Sequence, residues 1–193
     1  DGDGDLDLAV GNQNQPNRVY ENLDGVLSLV WSSDEQEATM SLAWGDLDGD
    51  GDLDLAVANK DQPNRIYSNT GGSLVSSWVS TETDSSYDVA LGDWNRDGTL
   101  DLLVANNGQA NRLYTNIGGN MVLTWSTLDS VNTRSVAWGD ADGDGDLDFA
   151  EGNFGSPNRL YLNNGFGFDI DWLSFDSSDT RDVAWADVDG DGD

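Results

Sequence analysis

Short apolar stretches recur along the chain, and each alternates large side chains with small or polar ones. In the stretch LDLAVA at 53–58, large residues occupy every second position. A period of two residues is the signature of a β-strand. Because the other face is small as well as partly polar, the large side chains of one sheet can pack against the small ones of the next. The pattern predicts strands in sheets that are stacked on both faces.

A repeat of 47 residues organises these stretches. Three sets of equivalent residues recur at this step: Trp31, Trp78, Trp125 and Trp172; Tyr20, Tyr67, Tyr114 and Tyr161; Arg18, Arg65, Arg112 and Arg159. Each unit contains four stretches, and turn sequences such as NTGG at 69–72 close a hairpin between the third and the fourth. Four-stranded units slightly longer than 40 residues are typical of β-propeller blades.

We therefore predict an all-β fold, with four four-stranded antiparallel β-propeller blades of 47 residues each in a single propeller domain across residues 1–193. First strands are expected to start near residues 41, 88, 135 and 182. The chain opens on a second strand at 6–12 and ends on a first strand, VAWAD, at 183–187. Pairing of these two stretches would close a four-bladed ring. The DGDGD sequence at both ends instead favours a segment of a larger propeller, which would meet further blades or self-associate.

The charge of the chain restricts its partners. Its 193 residues include 37 acidic and only 8 basic side chains, for a net charge of -29. This charge argues against nucleic acid and anionic membrane surfaces as partners, and no apolar window approaches the length of a membrane-spanning helix. The absence of Cys and His excludes structural zinc sites of the usual kind, disulfides, thiol catalysis and His acid/base chemistry.

Many of the acidic residues lie in loops of the form DxDxDGxxD between the first and second strands. Alternate carboxylates on a curved loop can converge on calcium, which takes six to eight oxygen ligands. Positions 1, 3, 5 and 9 would supply side-chain oxygens and position 7 a main-chain carbonyl, while the glycine at position 6 permits a sharp turn. The predicted ligands in the three complete loops are Asp46, Asp48, Asp50, Asp52 and Asp54; Asp93, Asn95, Asp97, Thr99 and Asp101; and Asp140, Asp142, Asp144, Asp146 and Asp148.

The plainer interpretation is that Asp and Gly simply build polar turns. Turns need one or two such residues, whereas these loops keep carboxylate or amide oxygens at four identical offsets, so we favour calcium. Magnesium is the poorer fit because its strict octahedral shell is usually kept partly aqueous. Partial loops at the two termini could together add a fourth site, with Asp1, Asp3, Asp5 and Asp7 at one end and Asp187, Asp189, Asp191 and Asp193 at the other.

The Asp-Gly loops followed by LDLAVAN and by PNRLYLN, with NNGFGF in the last unit, resemble the FG-GAP/VCBS repeats of calcium-binding β-propellers. That family includes the head domain of integrin α subunits, some fungal lectins and many secreted bacterial proteins. The resemblance implies that the Asp-rich hairpin joins the first and second strands of a blade and that its calcium is mainly structural. Trp94, Arg96 and Thr99 depart from the pattern and lower the formal charge of the second complete loop.

Ligand binding is expected on the opposite face, where the units diverge after their second and fourth strands. The non-repeating side chains there are Lys60, Tyr87, Arg134 and Phe154. Glu151 is a further break, since it replaces Val10, Val57 and Val104. The repeated arginines are expected to pair with carboxylates or carbonyls between blades. The repeated tryptophans and tyrosines are expected to be core or blade-packing residues.

These features favour a calcium-stabilised module, extracellular or at the cell surface, that recognises a protein or carbohydrate ligand and is not itself an enzyme. The alternative is a catalytic or non-catalytic portion of a secreted polysaccharide-active enzyme, in which carboxylates act as acid and base. The acidic residues outside the metal loops are expected to lie in variable surface loops, which makes the enzyme the second choice.

Overall fold

The computed structural model describes residues 4–188, which contain fifteen β-strands and no helix. Their bounds are β1 Leu8–Val10, β2 Arg18–Leu23, β3 Val26–Ser32, β4 Thr39–Gly45, β5 Asp54–Asn59, β6 Arg65–Asn69, β7 Leu74–Val79, β8 Ser86–Gly92, β9 Asp101–Asn106, β10 Arg112–Ile117, β11 Asn120–Ser126, β12 Thr133–Gly139, β13 Asp148–Asn153, β14 Arg159–Asn163 and β15 Phe168–Leu173. No helix in this part of the chain could span a membrane.

The strands form antiparallel sheets in simple sequence order, which confirms the predicted all-β blade architecture. The first sheet has three strands, β1 to β3, because the chain opens on the second strand of a blade; the other three sheets have four strands each. The chain divides into two compact units at the boundary between Ser86 and Tyr87. We call these unit 1 and unit 2. The single domain and the choice between a closed ring and a longer array stay predictions.

In unit 1, the repeated aromatic residues pack one sheet against the next. Trp31 of β3 meets Tyr67 of β6 edge to face, with ring centroids 5.0 Å apart. The indole Nε1 also donates to the Leu74 carbonyl at 2.8 Å. Leu55 and Val57 complete the buried cluster. The prediction that the repeated Trp and Tyr are packing residues is confirmed here.

Unit 2 contains a core rich in aromatic side chains. Phe149 and Tyr161 stack with centroids 4.6 Å apart, and Trp125 of the preceding sheet packs against both rings at 5.9 Å. Trp138 lies against Gly92, where an added Cβ would stand 2.9 Å from the indole Cδ1. Glycine at the end of a first strand therefore lets the tryptophan of the next sheet approach the backbone.

The last predicted strand is wrong: residues 181–188 form no strand. A strand requires ladder hydrogen bonds to a neighbour, and this segment instead makes side-chain contacts with the last sheet. Trp185 Nε1 donates to the Ala137 carbonyl at 3.1 Å, and its indole covers Gly139. Thus the segment packs against the sheet as a neighbouring first strand would, but without its own pairing partner.

The prediction that the repeated arginines pair with carboxylates is confirmed for Arg65 and Arg159. Arg65 Nε lies 2.8 Å from Glu37 Oε2, and its Nη1 lies 3.2 Å from Glu35 Oε1. In unit 2, Arg159 Nη2 lies 2.6 Å from Asp129 Oδ2. These acids belong to the loops that follow β3 and β11, so each pair ties a blade to the loop that precedes it.

Candidate functional site

The three complete acidic loops lie between the first and second strands of their blades, as predicted: between β4 and β5, between β8 and β9, and between β12 and β13. In each, the aspartate at position 1 accepts two backbone hydrogen bonds from its own loop. Asp46 Oδ1 accepts from the Gly49 N–H at 2.8 Å and Oδ2 from the Gly51 N–H at 3.1 Å. Glycine is favoured at both places because their φ angles are +79° and +95°. The carboxylate thus curls the loop around itself.

The third loop repeats these bonds, and the second loop differs in one donor, at position 5 instead of position 4. Asp140 accepts from the N–H groups of Gly143 and Gly145, both at 2.9 Å. Asp93 accepts from the Asp97 N–H at 3.0 Å and the Gly98 N–H at 2.9 Å. Three loops of different sequence therefore adopt one closely related curled conformation.

The aspartate at position 9 is the first residue of the second strand and is buried in every loop. Asp54, Asp101 and Asp148 are exposed by 0%, 0% and 1%. Each carboxylate bridges its loop to the third strand through two backbone N–H donors. For Asp54 these are Leu47 at 2.9 Å and Asn69 at 2.8 Å.

The two other position-9 carboxylates make equivalent bonds. Asp101 accepts from the Trp94 N–H at 3.3 Å and the Asn116 N–H at 2.8 Å. Asp148 accepts from the Ala141 and Asn163 N–H groups, both at 2.8 Å. This role in fixing the blade is one that the sequence analysis did not assign.

Burial and crowding shift the acidity of these groups. Burial raises the pKa of Asp101 to about 6 and also raises the pKa of Asp148. The pKa of Asp48 is raised by burial and then by the nearby Asp54 charge. By contrast, hydrogen bonds from Thr99 and Asn95 lower the pKa of Asp97. The raised pKa values mean that burial, and after it the charge of neighbouring carboxylates, disfavours the ionised form of these groups.

The residues present fit a divalent cation in two of the loops. One carboxylate oxygen from each of Asp46, Asp48 and Asp50 lies within 4.8 Å of the others. The same holds for Asp140, Asp142 and Asp148. Two oxygens bound to one calcium at about 2.3–2.6 Å can be separated by at most about 5 Å. Each cluster can therefore share one ion.

The second loop has a mixed donor set. Asn95 stands at position 3, and its Nδ2 donates to Asp97 Oδ2 at 3.0 Å. The position-7 residues Asp52, Thr99 and Asp146 donate their backbone N–H to the position-5 carboxylate at 2.9, 2.9 and 2.8 Å. The predicted use of their carbonyls as ligands stays a prediction.

Arg96 affects the third loop rather than its own. Its φ of +57° is a left-handed conformation that glycine occupies at the equivalent Gly49 and Gly143. From there Nε reaches Asp146 Oδ1 at 2.7 Å, and Nη2 lies 3.4 Å from the Asp144 carbonyl. The positive charge that the sequence analysis assigned to the second loop therefore lies beside the third.

The partial terminal loops are only partly described. Asp7 takes the position-9 role, since its Oδ1 accepts the Asn22 N–H at 2.9 Å. Asp5 and Asp187 are exposed. The remaining predicted residues lie outside the described part of the chain: Asp1, Asp3, Asp189, Asp191 and Asp193.

At the opposite edge of the sheets, three of the four predicted ligand-face residues come together in unit 2. The Arg134 guanidinium carbon lies 3.9 Å from the centroid of the Tyr87 ring and 5.3 Å from that of Phe154. Sequence reasoning missed Arg181, which lies 5.6 Å from Phe154. The missed signal is positional, because Tyr87, Arg134 and Arg181 are one 47-residue step apart. Lys60 belongs to unit 1, where its backbone forms an isolated antiparallel β-bridge with Ser85.

Glu151 proves to be a fully buried carboxylate beside one of the repeated arginines. Its Oε2 accepts from Asn111 Nδ2 at 2.9 Å and Thr133 Oγ1 at 3.3 Å. Its Oε1 lies 3.7 Å from Arg159 Nη1, and burial raises its pKa. In sequence position, Val131 corresponds to Glu37. Unit 2 thus places in a strand the carboxylate that unit 1 places in a loop.

Comparison with known proteins places these observations in a family. A comparison with curated protein sequences gives no significant match. Among solved structures, the Saccharomyces cerevisiae protein Sqt1 is similar, with a TM-score of 0.70 and 14% identity. The match covers 89% of this chain and 48% of Sqt1, so the chain spans about half of that protein and the likeness concerns the fold alone.

The model of the FG-GAP-like repeat matches three times, over residues 1–57, 46–104 and 93–151. The second and third matches begin at Asp46 and Asp93, the position-1 aspartates whose carboxylates curl the loops. Together the matches extend across residues 1–151, and the chain belongs to the FG-GAP-like repeat family.

Proposed function

We propose that this chain is a calcium-binding repeat module for recognition outside the cell or at its surface, with calcium in a structural role and a protein or carbohydrate as ligand. The observation that carries the proposal is the pair of three-carboxylate clusters, at Asp46, Asp48 and Asp50 and at Asp140, Asp142 and Asp148. Extracellular modules bind calcium at about 10⁻⁴ to 10⁻³ M, a concentration range that favours a secreted or surface location.

The position-9 aspartates support a structural role for the ion. Asp148 contributes to the third-loop cluster and also bonds Ala141 of the loop and Asn163 of the neighbouring strand. A cation there would neutralise a carboxylate that fixes the first, second and third strands of one blade. Calcium would therefore stabilise the blade at the residues that connect its strands.

We further propose that the module is not catalytic. Glu151, the acidic residue that breaks the repeat within a strand, is fully buried and bonded to Asn111 and Thr133. Its carboxylate ties two blades of unit 2 together and is not presented to a substrate. The recognition surface is expected instead at the edge opposite the acidic loops, around Arg134.

Calcium titration with thermal unfolding tests the proposal. The melting temperature should rise with calcium and fall with chelator, because a ligand that binds only the native state stabilises it. Magnesium at equal concentration should give a smaller rise. Identical melting curves with calcium and with chelator would contradict it.

Loop variants test the assignment of the sites. Asp50→Ala should lower the number of bound ions, counted by native mass spectrometry, whereas the exposed Asp171→Ala on β15 should leave it unchanged. Equal metal content in both variants would show that the first complete loop is not a calcium site.

A further inference from the structure

An arginine–aromatic stack lies at the edge of unit 2 opposite the acidic loops. Its members are Tyr87, Arg134, Phe154 and Arg181, in alternating order. All except Arg181 are partly buried, so the rings and the Arg134 guanidinium are held among their neighbours. The stack rests on the recognition role proposed above and gives that role a ligand chemistry.

The stack occurs where the repeat departs from its own pattern. Tyr87, Arg134 and Arg181 share one position of the 47-residue unit, which Met40 occupies in unit 1. Phe154 occupies a position of the repeat that holds Gln13, Lys60 and Asn107 in the other three copies. Packing within the blades does not demand these types, because Met and Gln serve at the same two positions of unit 1.

Positive charge in the stack is not neutralised by the protein. Arg65, Arg96 and Arg159 each pair with a carboxylate. Within residues 4–188, Arg134 and Arg181 make no ion pair or hydrogen bond, and Arg134 Nε is buried without a partner. In a chain of net charge -29, two guanidinium groups without a carboxylate form an unusual local site for an anion.

We propose that the stack binds the carboxylate of a single uronic acid residue, a sugar acid at the end of a glycan chain. A guanidinium group whose carbon lies over a ring can still offer its terminal N–H donors to a carboxylate, whose two oxygens match their fork. The partly buried rings supply apolar surface for the sugar C–H groups.

Two alternatives fit the stack less well. A long polyanion would be repelled by the overall charge of the chain. The carboxylate at a peptide C-terminus is usually captured by backbone N–H groups, whereas this site offers side-chain donors. A terminal uronic acid carries a single negative charge, and its carboxylate can be bound by side-chain donors.

The experiment compares two sugars that differ only in the carboxylate, methyl glucuronide and methyl glucoside, by NMR titration of the calcium-loaded protein. Methyl glucuronide should shift resonances of Tyr87 and Phe154, and methyl glucoside should bind at least about 10-fold more weakly. Arg134→Gln and Arg181→Gln should each weaken glucuronide binding by about 10- to 100-fold. Arg96→Gln removes the same charge at the other edge of unit 2 and should leave binding unchanged.

Several results would overturn the inference. Equal binding of both sugars would preserve carbohydrate recognition but remove the carboxylate as its determinant. Tighter binding of a short peptide through its C-terminus would assign the stack to protein ligands. Failure of methyl glucuronide to bind would refute the inference and leave the recognition role to be tested on neutral glycans and proteins. Arg181 is exposed, so its variant gives a reading even if Arg134→Gln fails to fold.

Discussion

At the residue scale, equivalent arginines have carboxylates beside them that come from different positions of the repeat. Arg65 receives Glu37 from a preceding loop, whereas Arg159 has Glu151 from the neighbouring strand at 3.7 Å. The two arrangements place negative charge near equivalent arginines by different routes.

This exchange predicts a specific rescue. Glu151→Val should lower the free energy of unfolding by about 2 to 3 kcal/mol, because Arg159 and Asn111 lose a buried charged partner. Adding Val131→Glu restores the arrangement of unit 1 and should recover part of that loss. Denaturant unfolding of the two variants measures it. A double variant no more stable than the single one would show that the two arrangements are not interchangeable.

Asp101 predicts a pH dependence of stability in the metal-free protein. Its pKa is about 6 in the folded state against an ordinary 3.8, so the folded state binds more protons over that interval. This contribution to stability is fully present below about pH 4 and is lost as the pH rises through 6, at a cost on the order of 2 to 3 kcal/mol.

The check is chelator-treated protein unfolded at several pH values. Asp101→Asn should flatten the decline between pH 4 and 6, whereas the exposed Asp171→Asn should not. Calcium should oppose the decline, because it favours the ionised carboxylate. A slope unaffected by Asp101→Asn would assign the titration to other groups.

At the element scale, glycines that receive a tryptophan set the spacing between sheets of unit 2. An added Cβ at Gly92 would meet Trp138 and Leu147 at 2.9 Å. Gly92→Ala should therefore destabilise the protein by about 1 to 3 kcal/mol through overpacking. Gly139→Ala should cost less, because its neighbour Trp185 is 45% exposed and free to move. Thermal melts of both variants give the comparison, and an equal loss would contradict it.

The strands were largely predictable because period-two alternation and hairpin turns are local features. Observed and predicted first strands differ by about two residues, as at β4, which begins at Thr39 rather than 41. The final strand at 183–187 was not predictable in this way, since pairing depends on a neighbour as well as on the pattern.

The candidate sites also differ in how far the sequence alone predicts them. Acid-loop spacing is written in the sequence, and the clusters at Asp46 and Asp140 follow from it. The reach of Arg96 to Asp146 and the exchange of Glu37 for Glu151 depend on contacts between blades. No periodicity within one strand contains that information.

At the scale of the whole molecule, net charge and metal binding should be linked. With calcium removed, 37 acidic side chains against 8 basic ones repel one another in the compact state. Sodium chloride screens exposed charges over about 10 Å at 0.1 M. It should therefore raise the melting temperature strongly in chelator and only weakly in calcium. An equal rise in both solutions would show that the repulsion screened by salt does not depend on calcium in the acidic loops.

The exchange of Glu37 for Glu151 also bears on engineering and evolution of the array. A consensus blade built by averaging the repeats would take Val at the strand position of Glu151 and no fixed acid at the loop position of Glu37. It would keep an acid at only one loop position, which is acidic in every repeat: Glu35, Glu82, Asp129 and Asp176. Its arginine would then lack one carboxylate in every copy. Shuffling natural blades would likewise leave some arginines with one partner fewer and others with one more. The blades are therefore alike in fold but not interchangeable as parts, and a duplicated blade keeps both carboxylates beside its arginine only when its neighbouring segments are duplicated with it.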